Sequence, residues 1–239
     1  MTDQIMEIKQ KILDGMKILL RDGLMELNTG HLSVRIPGKN GQDLICLPGH
    51  LHDHGRTLDT LTIDDIITID MENNKIEGKL SSVGEAVIHT KIYAARPDVN
   101  SIIHCHPKMA TCFSIAGVEI KPVYHRAVFL SPGVPIWDYP GQVDKPELGE
   151  KIAAALGDRP AVLLRGHGAV TVGASLEECV SVCAILERAA EMQYIASNIG
   201  TPKVIEPEFM DGRHVAGQTH KNWSRNIWGY LTHTYLDSE

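Results

Sequence analysis

The sequence predicts an α/β domain in which a mixed sheet carries helices on its faces. Segments with a helical apolar period interleave along the whole chain with segments that alternate apolar and polar residues. They do so without the regular spacing of a βαβ repeat, which argues against an all-parallel sheet. The 239 residues are 43% hydrophobic and 22% charged, as in an ordinary globular chain long enough to bury a substantial core. Disorder, fibrous repeats and disulfide-stapled miniproteins are thereby excluded. No low-complexity tract or Ser/Gly/Pro-rich linker divides the chain, so residues 1–205 are expected to form one domain and residues 206–239 a helical extension.

The elements follow in order. Ile5, Ile8, Ile12, Met16, Leu19 and Leu20 recur at helical spacing, and Gly23 supplies a C-cap. Residues 32–36 and 43–46 alternate on either side of Pro37-Gly-Lys-Asn-Gly41, a hairpin pattern that residues 66–70 and 74–76 continue. From Val83 to Arg96 the period is helical, and Pro97 ends it because the residue before proline avoids the α region. Residues 100–106 form a strand stopped by Pro107. Helices over 109–116 and 146–156, strands over 161–165 and 169–172, and a long helix over 176–199 complete the core. Residues 223–235 form a terminal helix.

Lys and Arg total 23 against 30 Asp and Glu, a net charge of -7 that offers nothing to a phosphate backbone, so nucleic acid is not an expected partner. No apolar run approaches the roughly 20 residues of a membrane helix. The first ten residues are polar and acid-bearing, unlike a signal peptide, so a cytoplasmic location is expected. Five cysteines without a C-x-x-C pair are expected to be reduced thiols.

His104-Cys105-His106 carries the sharpest chemistry. Residues two apart on a strand project to one face, so Ile102, His104 and His106 share a side and both imidazoles reach one point. Pro107 puts that pair at a strand end. Gly166-His167-Gly168 follows a second apolar strand, and its glycines permit close approach. Three histidines leave an open position on a divalent metal, as catalysis requires. An H-x-H alone also fits two polar strand residues; the two motifs together, with Glu85 opening a helix upstream, favour a metal site.

The run Gly30-His-Leu-Ser-Val-Arg35, Glu85 with His89 four residues on, Ala95-Arg-Pro-Asp-Val99, His104-Cys-His106 and Leu164-Arg-Gly-His-Gly168 resembles the class II aldolase/adducin family, in order and spacing, over roughly residues 5 to 200. The resemblance implies a three-layer α/β/α sandwich around a central, mainly antiparallel mixed sheet, assembled as a homotetramer with sites between subunits. It implies a divalent metal, zinc or manganese, on His104, His106 and His167, with Glu85 beside or on it as general acid/base.

Departures from the pattern point to the substrate. The family's phosphosugar enzymes hold phosphate with an Asn after the glycine, a Thr-Gly pair and a Ser-Ser pair immediately before the glutamate. Here the first position is His31, the second region reads Leu47-Pro48-Gly49, and Val83-Gly84 separates Ser81-Ser82 from Glu85. Proline supplies neither hydroxyl nor N–H. A sugar phosphate is therefore not expected. Where the aldolases borrow a tyrosine from a neighbouring subunit, this chain has His125 beside Arg126, a pair suited to a carboxylate because guanidinium grips carboxylate in bidentate fashion. These features resemble the family's decarboxylases of hydroxylated aromatic or pyridine carboxylates.

The expected function is a metal-dependent carbon–carbon lyase acting on a small molecule, with decarboxylation favoured over aldol cleavage. Breaking the bond leaves an electron pair that must be delocalised onto an oxygen, and a Lewis-acidic metal stabilises the developing enolate. The alternatives are an aldolase or epimerase on a non-phosphorylated hydroxycarbonyl compound and a non-catalytic adducin-like binding protein. Expected substrate contacts are His31, Gly49, His50, Ser82, His125 and Arg126. The dense run His50, His52, His54 is expected to line the cavity rather than bind a second metal. His89 is placed to orient Glu85 or to be satisfied in the core. The aromatic tail with Trp223, Trp228, Tyr230 and Tyr235 is expected to pack on a neighbouring subunit or over the site.

Overall fold

The computed structural model describes residues 2–38, 41–51, 55–206, 209 and 218–237. In chain order the elements are α1 (Thr2–Arg21), β1 (His31–Pro37), β2 (Asp43–Pro48), β3 (Ile66–Ile69), β4 (Lys75–Glu77), α2 (Ala86–Ala95) and β5 (Ser101–Cys105). They continue with α3 (Lys108–Ala116), β6 (Ile136–Trp137), α4 (Pro146–Leu156), β7 (Ala161–Leu164), β8 (Gly168–Gly173), α5 (Leu176–Ile199) and α6 (Gln218–Tyr235). Short 3-10 turns at Leu58–Thr60, Ile63–Asp65 and His125–Leu130 and the two-residue β6 are additions to the sequence expectation.

The strands form one sheet in the order β4-β3-β2-β1-β5-β8-β7-β6. All neighbours run antiparallel except β6 and β7, so the sheet is mixed and mainly antiparallel as expected. The hairpin pairs Val34 with Cys46 and Pro37 with Asp43. Strand alternation assigns the two faces. Leu32 packs toward Gly15 of α1, and Cys105 approaches Cys183 of α5 with sulfurs 3.3 Å apart. On the opposite face Ser33 bonds His89 and Tyr93 of α2. α4 presses on α2 so closely that a Cβ on Gly149 would stand 2.6 Å from the Val87 carbonyl. The result is three layers, with the sheet between α1, α3 and α5 on one side and α2 and α4 on the other. Within the chain, α6 lies against α1 and α5, with the Trp223 ring tilted against Phe129 and the Tyr235 hydroxyl donating to Asp22 at 2.7 Å.

Two side chains remote in sequence hold the helices that flank the site, each with a pair of hydrogen bonds. Arg35 of β1 donates to the carbonyls of Tyr93 and Arg96 at 2.6 and 2.9 Å, closing the C-terminus of α2 with a cation. Pro107 begins α3 without a capping side chain, and Glu187 of α5 takes over, accepting the N–H groups of Met109 and Ala110 at 2.8 and 3.0 Å. That carboxylate fixes the chain immediately after His106. Glu187→Ala is expected to lower stability by about 1 to 2 kcal/mol, as loss of an N-terminal cap does, measured by urea unfolding.

Candidate metal centre and its cavity

Three short backbone segments bring the histidines together. β1 and β5 pair with His31 opposite His104, and β5 and β8 pair with His104 opposite Val170. His104 is fully buried, and its Nδ1 lies 3.1 Å from the Ala169 carbonyl of β8. A carbonyl only accepts, so Nδ1 carries the proton and Nε2 the lone pair. His106, just beyond the end of β5, has Nδ1 2.6 Å from the Thr29 hydroxyl. That hydroxyl donates to the Glu26 carbonyl, so it accepts from His106 and leaves the other ring nitrogen bare. His167 occupies the turn between β7 and β8, its ring bonded to the Gly141 backbone. One nitrogen from each of His104, His106 and His167 lies within 4.8 Å of the others.

Glu85, the residue before α2, closes the group. Its Oε2 is 3.4 Å from His104 Nε2 and its Oε1 3.7 Å from His167 Nε2, while Oε1 accepts the Val143 N–H at 3.0 Å. Burial pushes its carboxyl up, but His104, the Val143 N–H and His167 outweigh that and bring it down to about 2. Burial lowers His106 to about 3 and moves His167 in the same direction. The donor set is thus three imidazoles, of which burial keeps His106 and His167 neutral, and an ionised carboxylate. His104 Nε2, with its lone pair, stands 3.2 Å from His167 Nε2, an approach that a shared cation would stabilise. This chemistry fits a divalent metal, and zinc and manganese both accept it.

Two glycines permit the approach. At Gly168 a Cβ would stand 2.3 Å from the Cys105 carbonyl and 2.7 Å from His106 Cδ2. Gly30 has a φ of +104°, and a Cβ there would stand 3.0 Å from the His104 carbonyl.

A cavity of about 480 Å³ opens from this centre. His31, Glu85, His106 and His167 form one wall, and Pro48, Gly49 and His50 another. His31, Gly49 and His50, expected from the sequence to be substrate contacts, line this cavity. Ser82 instead donates to Asn73 Oδ1 at 2.6 Å and is not part of the lining. His125 and Arg126 are exposed in the turn His125–Leu130, outside the cavity of their own chain. His52, His54 and His214 fall outside the described residues. His89 bonds His31 and Ser33, each at 2.6 Å, so the core alternative holds and it does not hydrogen-bond Glu85. Thr29, which adjoins the Gly30-His31 motif, joins the site without having been expected from the sequence, as do Val143 and the lining residues Asn28 and Gln142.

Residues 10–194 match the model of the class II aldolase and adducin N-terminal domain. The chain belongs to this family. It is 30% identical over 182 residues to a 3,4-dihydroxyphthalate decarboxylase of Arthrobacter keyseri, covering 72% of this chain and 71% of that protein. It is 31% identical over 145 residues to an L-fuculose phosphate aldolase of Methanococcus maripaludis, covering 61% of this chain and 78% of that one. A solved L-fuculose 1-phosphate aldolase superposes with a TM-score of 0.78 at 24% identity, over 89% of this chain and 96% of that one, a likeness of fold.

One feature of this class II aldolase-family cavity bears on anion binding. Pro48 has no N–H, the Gly49 N–H donates to the Asp65 carbonyl at 2.9 Å, and the His50 N–H donates to the Ser81 carbonyl at 2.9 Å. The loop facing the centre has no backbone donor left at these three positions.

Thr29→Val removes the partner of His106 Nδ1 while keeping the side-chain shape. Metal affinity is expected to fall about 10- to 100-fold, read by titration against a competing chelator. Gly168→Ala is expected to displace His106 and lower the metal content of purified protein, measured by elemental analysis.

Proposed function

We propose that this protein is a divalent-metal-dependent carbon–carbon lyase, and that it decarboxylates a hydroxylated aromatic or pyridine carboxylate. The observation that carries the proposal is the convergence of His104, His106 and His167 on one point beside the Glu85 carboxylate. Two further facts support the substrate class. The loop at 48–50 offers a phosphate no free backbone N–H, and relatives at about 30% identity include 3,4-dihydroxyphthalate decarboxylases.

A divalent cation held by the three histidines supplies a Lewis acid that stabilises negative charge on a substrate oxygen. Glu85 is ionised, so it first acts as a base and takes the proton of a substrate hydroxyl. Glu85 then hands that proton to the ring carbon that bears the carboxylate, converting the phenolate into a dienone whose C=O is the electron sink. The bond from that carbon to the carboxylate breaks, carbon dioxide leaves, and the electron pair flows through the ring onto the dienone oxygen, restoring the aromatic phenolate and leaving Glu85 ionised. His31, Gly49 and His50 border the substrate. In a homo-oligomer with sites between subunits, the exposed His125 and Arg126 of a neighbouring chain are the pair to grip the leaving carboxylate.

The second reading is an aldolase acting on a non-phosphorylated hydroxycarbonyl compound, favoured by the 31% identity to an L-fuculose phosphate aldolase. Here Glu85 would move the proton between oxygen and the nascent carbanion. An adducin-like binding role is disfavoured by the intact triad.

The test combines elemental analysis with carbon dioxide release from ortho-hydroxylated aromatic and pyridine carboxylates, with and without chelator. Release that stops with chelator and falls about 10²- to 10⁴-fold in Glu85→Gln at unchanged metal content is the expected result. Metal without release, but with aldol cleavage, selects the second reading. Absence of metal overturns both.

A further inference from the structure

A hydrogen-bonded chain runs from the cavity wall into the core and ends without a role in the chemistry above. His31 Nδ1 lies 2.6 Å from His89 Nε2, His89 Nδ1 lies 2.6 Å from the Ser33 hydroxyl, and that hydroxyl lies 2.8 Å from the Tyr93 hydroxyl. The Tyr93 hydroxyl reaches the Asn100 carbonyl at 3.4 Å. All four side chains are buried, and neither imidazole pairs with a carboxylate among the described residues, so both rings are neutral. A neutral imidazole has one N–H and one lone pair, which leaves two directions for the chain.

In one direction His31 Nδ1–H donates to His89, His89 Nδ1–H to Ser33, Ser33 to Tyr93, and Tyr93 to the Asn100 carbonyl, which only accepts. Every proton then has a protein acceptor. Reversing the chain loses the Asn100 bond and turns a His31 N–H into the cavity. The first direction makes one more bond, and it leaves His31 Nε2, which has no partner among the described residues, as a bare acceptor on the cavity wall. The rings of His31 and His104 lie 5.2 Å apart, so this acceptor sits beside the metal centre.

We propose that His31 Nε2 is a fixed hydrogen-bond acceptor that selects a substrate hydroxyl next to the oxygens bound at the centre, and that His89, Ser33 and Tyr93 are positioning residues that hold His31 in this tautomer. The proposal rests on the lyase reading and narrows its substrate. A phosphate or carboxylate oxygen at this point meets a lone pair, a methyl ether brings no proton, and a hydroxyl donates. A site built to bond a hydroxyl rejects analogues that lack it.

The tautomer is read on metal-free, full-length protein labelled with ¹⁵N-histidine, by long-range proton–nitrogen correlation, with His31 assigned by its loss in His31→Gln. The expected state is protonated Nδ1 and bare Nε2. Tyr93→Phe removes the acceptor for the Ser33 hydroxyl, which then turns to His89, so this variant is expected to invert the His31 tautomer; a purely structural tyrosine would leave it unchanged. Protonated Nε2 in the wild type, or no inversion in Tyr93→Phe, overturns the proposal. On the metal-loaded protein, 2,3-dihydroxybenzoate is expected to bind at least about tenfold more tightly than 2-hydroxy-3-methoxybenzoate, with the preference collapsing in His31→Phe. A preference that survives His31→Phe also overturns it. Elemental analysis of the same samples separates the two questions, because protein that takes up no metal overturns the lyase reading while the tautomer is measured without metal.

Discussion

A neutral imidazole has one donor nitrogen and one acceptor nitrogen, so committing the donor decides where the lone pair points. In this protein the commitments are made by backbone and loop atoms far apart in the chain. The Ala169 carbonyl takes the His104 proton, which requires β8 to pair with β5 in its observed register. Thr29 takes the His106 proton only because its own goes to Glu26. A slip of one residue between β5 and β8 would turn His104 to the α5 face, where Cys105 meets Cys183, and dissolve the centre. The sheet register, the 26–30 loop and the glycine at 168 thus serve one requirement, three lone pairs aimed at one point.

The same alternation divides the two faces of the central strands by chemistry. Toward α1 and α5, β1 and β5 present Leu32, Ile103 and Cys105, and these bury into a continuous apolar core. Toward α2 they present His31, Ser33 and His104, polar groups that would be costly to bury alone. The cost is offset because each finds a partner: Ser33 bonds His89 and Tyr93, His31 bonds His89, and His104 bonds the Ala169 carbonyl. A polar layer satisfied by its own members keeps imidazoles neutral and oriented, the state in which they serve as metal ligands.

The parts of this arrangement that depend on local pattern were legible in the sequence. Period-two alternation placed His104 with His106, the proline marked the strand end, and the hairpin between residues 36 and 43 followed from its turn composition. What was not legible depends on partners remote in sequence. Thr29 acts on a ring 77 residues away, and Glu187 caps a helix 78 residues away, and nothing local distinguishes either from any other threonine or glutamate. His89 illustrates the limit from the other side. Its spacing from Glu85 allowed a contact along one helix, but the ring faces β1 and bonds His31 and Ser33 across the layer boundary. The two-residue β6 is too short to carry a periodic signal at all.

Charge sorting in the cavity follows from what its wall lacks. The described lining contains no lysine or arginine, Pro48 has no N–H, and the N–H groups of Gly49 and His50 are taken up by Asp65 and Ser81. Within one chain, an anionic group therefore meets no cationic side chain of the lining and no free backbone N–H at 48–50. A phosphate carried at the far end of a sugar is held by donors remote from the reacting carbons, and this loop offers it no backbone N–H. A carboxylate next to a hydroxyl needs no such remote site, because its charge lies beside the oxygen that the centre would bind. The distinction between the two substrate classes thus rests on where the negative charge sits relative to the reacting carbon, a matter of geometry more than of net charge.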